Sequence, residues 1–141
     1  MRAPARDGNL SWMGEQPRTV IVGCSESESV VDALALGFLL VERPGWRLLL
    51  AHAYAPPRLA REDAELLLQG ALRALPYGQP ASTRALESES PGPALSDLAR
   101  EEQAYAVVVG ASGGVATQLA LSGPCPVAIA PRGFGAVHAT A

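Results

Sequence analysis

The stretch VVVGASGGVATQLALSGPCPVAIAP, Val107 to Pro131, reads as a strand, a glycine-rich turn, a helix and a second strand. Val107, Val108 and Val109 are a short β-branched run of the kind buried on both faces of a sheet. Gly110 to Gly114 is the turn, and Val127 to Ala130 is the second strand. A strand that passes through glycines into a helix N-terminus aims backbone N–H groups and the positive end of the helix dipole at one point, which favours an anion such as phosphate. Parallel neighbouring strands need a crossover of about a dozen residues. The segment between Val115 and Val127 therefore has to contain a helix.

The same alternation extends upstream. Thr19 to Gly23 (TVIVG) reads as a buried strand. Ser25 and Glu28 fit a capping box opening a helix that runs to about Arg43, where Pro44 and Gly45 stop it. From Val30 to Val41 the only charged residue of that helix is Asp32, so it is expected to be buried on more than one side. Arg47 to Ala53 is the next strand, and Pro56 and Pro57 introduce an amphipathic helix from about Arg58 to Leu75. Ser82 to Glu87 is a more polar strand, which points to a sheet edge. Ser90, Pro91 and Pro93 start a third helix that turns Leu95, Leu98 and Ala99 inward, and Tyr105 to Val109 returns as the most apolar strand. Regular strand–helix alternation implies an α/β domain, a doubly wound parallel sheet with helices on both faces.

Composition narrows the function. The 141 residues suit one domain, and 48% are hydrophobic, enough for a sizeable core. The net charge is −3 and the eleven basic residues are all arginines, scattered from Arg2 to Arg132 without a stripe, so nucleic acid is not expected as a partner. No apolar run approaches the roughly 18 residues that span a bilayer. No membrane association and a cytoplasmic location are the expectations. Residues 1–17 form a polar leader expected to be disordered, with Trp12 and Met13 as its only anchors, and residues 133–141 a flexible tail. Cys24 and Cys125 lack metal-ligand spacing and fall at opposite ends of the sheet, so neither a metal site nor a disulfide is expected. Two histidines and scattered carboxylates assemble no catalytic constellation.

Three segments carry a resemblance: VIVGCSESESVVDAL at the first strand and helix, SPGPALSDLAREEQAYAVVVGAS through the third helix and fourth strand, and the terminal PCPVAIAP. In order and spacing they resemble the universal stress protein family from about Arg18 to Arg132. The resemblance implies an adenine-nucleotide alpha-hydrolase-like sheet of five parallel strands in the order 3-2-1-4-5. It also implies a homodimer through the fifth strand, Val127 to Ala130, and a family in which some members bind ATP and others do not.

The family's nucleotide motif is Gly, two residues, Gly, nine residues, Gly, then Ser or Thr. Gly110, Gly113 and Gly123 satisfy the glycine spacing, with Pro124 in place of the hydroxyl residue. That register would turn the required crossover helix into a loop. Aligning Val115 and Val127 with the family's corresponding valines places Gly113 and Gly114 on its Gly-Ser pair and removes the nine-residue loop. Ser25 stands where ATP-binding relatives carry an Asp near the adenine, Glu26 and Glu28 add negative charge beside it, and His52 and Ala53 align with the family's His-Val, whose backbone faces the base. The candidate nucleotide site is thus Gly23, Ser25, His52, Ala53, Gly110, Ser112, Gly113, Gly114 and Val115, in degenerate form.

The function expected is a non-enzymatic stress-response binding or adaptor protein that needs no cofactor. An adenine-nucleotide sensor binding ATP or AMP, with weak hydrolysis left open, is the alternative. An interaction module that uses the apolar first helix and the fifth strand to pair with an unidentified protein is a third.

Overall fold

The computed structural model describes residues 17–111 and 114–138. Residues 1–16 of the leader, with Trp12 and Met13, lie outside the described residues, as do Ser112 and Gly113 of the glycine turn. Five strands, β1 (Thr19–Gly23), β2 (Arg47–Tyr54), β3 (Ala81–Glu87), β4 (Ala106–Gly110) and β5 (Val127–Ala130), form one sheet in the order β3-β2-β1-β4-β5. Every neighbouring pair is parallel, with Val22 opposite both Leu50 and Val108 at the centre. The helices that follow the first four strands are α1 (Ser29–Leu40), α2 (Arg61–Arg73), α3 (Pro91–Glu102) and α4 (Val115–Ser122).

Continuous apolar strands arise because both faces are covered, and the alternating pleat divides them cleanly. Val20, Val22, Leu48, Leu50 and Val108 pack with α1 and α2, joined by Leu34 and Leu68. Ile21, Leu49, Ala51, Val107 and Val109 pack with α3 and α4, joined by Leu95, Leu98 and Leu119. Burying one Leu or Val side chain stabilises by about 1.5–3 kcal/mol, so these two clusters hold the strand ends in place.

Three sequence expectations are corrected. Ser25 and Glu28 do not form a capping box: α1 begins at Ser29, with Glu28 at the N-cap and no side-chain cap bond. The Ser25 hydroxyl instead accepts the Ser27 N–H at 3.3 Å, a local turn that competes with helix initiation. At its other end α1 stops at Leu40 rather than Arg43, and the chain reverses through Gly45 at φ +83°. The tail is not without structure, since Phe134–Val137 makes a short helix, α5, against α1. It packs against α1 at Val31 and Asp32, while Val31 and Leu39 remain exposed in part.

Among the described residues, no helix is long and apolar enough to cross a membrane.

Candidate functional site

The order 3-2-1-4-5 reverses direction beside β1: the chain moves to β2 on one side and reaches β4 on the other. The loops that leave these strands diverge, and an open α/β sheet has its crevice at that point. Here the ends of β1, β2 and β4 border a cavity of about 240 Å³. Two close approaches shape it. A Cβ added at Gly110 would lie 2.5 Å from Ser29 Cβ and 2.8 Å from the Ser29 carbonyl oxygen, so only glycine lets β4 end against α1. At Gly23 an added Cβ would crowd Leu95 and Val109 at 3.0 and 3.1 Å.

Six of the nine sequence candidates border this cavity: Gly23, Ser25, His52, Ala53, Gly110 and Val115. Gly114 does not. It is the exposed N-cap of α4 at φ −98°, and a Cβ there would meet nothing within 4 Å. Ser112 and Gly113 lie outside the described residues. Gly123 closes α4, its N–H donating to the Leu119 carbonyl at 2.7 Å. Four residues therefore separate the last residue of β4 from the first of α4.

His52 is 7% exposed and its Nδ1 lies 2.9 Å from the Cys24 carbonyl oxygen. A carbonyl only accepts, so Nδ1 carries the proton. Nε2 is buried and has no hydrogen-bond partner among the described residues. The bond ties the end of β2 to the residue after β1 and fixes the ring. Cys24 is equally enclosed, and burial pushes its thiol up to about 12, partly offset by a hydrogen bond with the backbone of Ala51. Such a thiol is not a nucleophile. Cys125 is also free.

Ser25, Ser27 and Ser29 link their hydroxyls in sequence at 2.9 and 2.7 Å along the approach to α1. Glu26 borders the cleft, whereas Glu28 faces a separate cavity with Asp32 and Arg132.

Sequence reasoning missed Arg58. It was placed in a helix beginning at that residue, but α2 begins at Arg61 and residues 55–60 fold as a loop past the end of β2. The Pro56-Pro57 pair directly after a strand was the available signal. Among the described residues, Arg58 is the only cation bordering the cleft. It also borders a larger adjoining cavity, about 530 Å³, whose lining includes nothing from β4 or α4.

No family model and no curated protein matches the chain. Solved structures do. A universal stress protein from Archaeoglobus fulgidus superposes with a TM-score of 0.68 at 22% identity, over 86% of this chain and 98% of that one. The structure of the universal stress protein from that organism in complex with dAMP gives 0.67 at 22% identity, over 82% and 98%. A universal stress protein family member from Burkholderia pseudomallei gives 0.66 at 23% identity, over 79% and 94%. Strand order, parallel pairing and near-complete coverage of those chains agree, and this chain has the fold of the universal stress proteins.

Proposed function

We propose that this chain is a non-enzymatic stress-response binding protein of the universal stress protein type, with a cleft that holds ATP weakly or not at all. The observation that carries this reading is the corner between Gly110 and Val115, where four residues join β4 to α4 and where, among the described residues, Arg58 is the one cation bordering the cleft. Triphosphates carry three or four negative charges. The helix N-terminus supplies only about half a unit of positive charge, and Glu26 opposes it from the rim. Gly114 adds no hydroxyl.

A second reading, an adenine mononucleotide sensor, is favoured by the dAMP complex of the Archaeoglobus fulgidus protein. One phosphate asks less of the corner than three, and His52 and Ala53, which the resemblance sets against the base, border the cleft. A homodimer through β5 and a cytoplasmic location belong to the same proposal.

Calorimetric titration of the chain with Mg-ATP and with AMP tests both. The expected outcome is no saturable heat for ATP below millimolar concentrations. Micromolar, Mg-dependent ATP binding overturns the degenerate-site reading, and micromolar binding of AMP alone establishes the mononucleotide sensor in its place.

A further inference from the structure

The larger cavity, about 530 Å³ at the ends of β2 and β3, is bordered by Arg58, Glu26 and Glu89. Charges of both signs thus face one space, and among the described residues none of these three side chains has an ion pair or hydrogen bond. The rest of its rim includes the apolar Pro56, Pro57 and Leu59.

Each ligand class meets this lining differently. A simple anion finds one attractive and two repulsive groups, and the start of α3 gives little help: of Pro91, Gly92 and Pro93, only Gly92 has an N–H. Simple amines meet the reverse problem at Arg58. A molecule carrying both charges satisfies both signs. Guanidinium pairs with carboxylate through two parallel hydrogen bonds, and an ammonium offers three donors to acceptor-only carboxylates. The volume lies within the range of about 300–1,000 Å³ usual for small-molecule sites.

We propose that this cavity, which adjoins the nucleotide cleft and shares Glu26, His52, Ala53, Arg58 and Pro91 with it, is a binding site for a zwitterionic amino acid with an apolar side chain. Its carboxylate pairs with Arg58, its ammonium lies between Glu26 and Glu89, and its side chain rests on Pro56, Pro57 and Leu59.

Calorimetry of the full chain with L-leucine tests it, with 4-methylpentanoate and 3-methylbutylamine as probes that each keep one charge and the same carbon skeleton. Leucine is expected to bind at least tenfold more tightly than either probe, and to shift backbone amide signals at Ala55, Arg58, Leu59 and Glu89. Arg58→Gln and Glu89→Gln are each expected to weaken it at least tenfold. Both side chains are exposed and unpartnered, so the variants should melt like the parent chain. Absence of leucine binding at millimolar concentrations overturns the proposal, as does equal binding of either single-charge probe. Should a variant fail to fold, the three-ligand comparison on the unaltered chain still decides.

Discussion

Asp32 Oδ1 accepts the backbone N–H of Gly135 at 2.7 Å, and its Oδ2 accepts that of Gly133 at 3.3 Å, joining the first turn of α1 to the end of the chain. This accounts for the single charge in an otherwise apolar helix. Buried carboxylates persist where donors satisfy them, and here the donors come from α5 and its N-cap. Both glycines are required by geometry. Gly133 has φ +83°, and a Cβ at Gly135 would lie 2.7 Å from Val31 Cγ1 and 2.9 Å from the Val31 carbonyl oxygen.

Asp32→Ala removes both acceptors and leaves two N–H groups without partners. A loss of about 2–4 kcal/mol is expected from charge-assisted bonds of this kind, measured by urea unfolding. Asp32→Asn keeps one acceptor oxygen and should lose less. Amide exchange at Gly133 and Gly135 should accelerate in both variants; unchanged exchange in Asp32→Ala would show that α5 is held by its apolar contacts alone.

Much of the fold was legible because its signals are local. β-branched runs at Thr19–Gly23 and Val107–Val109, with prolines and glycines between them, mark strands and breaks without reference to the rest of the chain. The resemblance supplied the strand order. Six candidates meet at one cavity because they close strands or follow them, and strand ends converge wherever a doubly wound sheet reverses. Non-local features were not legible. The partners of Asp32 lie 101 and 103 residues away, and no periodicity within α1 could name them. Arg58 was hidden by a helix start misplaced by three residues, and the capping box expected at Ser25 is replaced by a turn of its own hydroxyl.

Cys24 makes stability depend on alkaline pH. Burial raises its pKa from 9.0 to about 12, so between these values the unfolded chain loses a proton that the folded chain keeps. Stability is complete below pH 9 and falls as pH rises toward 12, by up to about 1.4 kcal/mol per unit from this group. Comparing the urea midpoint of the parent with Cys24→Ala from pH 8 to 10.5 should show a steeper decline in the parent. In the folded chain at pH 8, a thiol reagent should modify the half-buried Cys125 well before Cys24.

Gly110 and Gly114 flank the same turn and should respond oppositely to added side chains. Gly110→Ala forces a methyl into Ser29 and is expected to cost roughly 1–3 kcal/mol, as overpacking does. Gly114→Ser enters open space at an ordinary φ and supplies the N-cap hydroxyl that α4 lacks. A gain of a few tenths of a kcal/mol is expected for that exchange. If the missing hydroxyl contributes to the weak corner, Gly114→Ser also raises affinity for Mg-ATP in calorimetry. Unchanged affinity would assign the weakness to the short turn and its lack of cations.

β5 is the final test of how the molecule assembles. It is an edge strand of four residues, paired with β4 on one side and with no other strand among the described residues. An unpaired edge offers a row of N–H and C=O groups to another chain unless it is blocked. Neither Lys nor Pro interrupts Val127–Ala130, Ile129 is 52% exposed, and Leu121 on neighbouring α4 is 84% exposed. Apolar surface beside an open edge suits a second copy of the chain, which would bury both. Sedimentation velocity at increasing concentration should therefore show a dimer. Ile129→Lys should yield a monomer with an unchanged circular dichroism spectrum, because that side chain contributes little to the folded core. A parent chain that sediments as a monomer at about 100 μM, a concentration where even a micromolar dimer would be populated, would leave β5 as a simple edge.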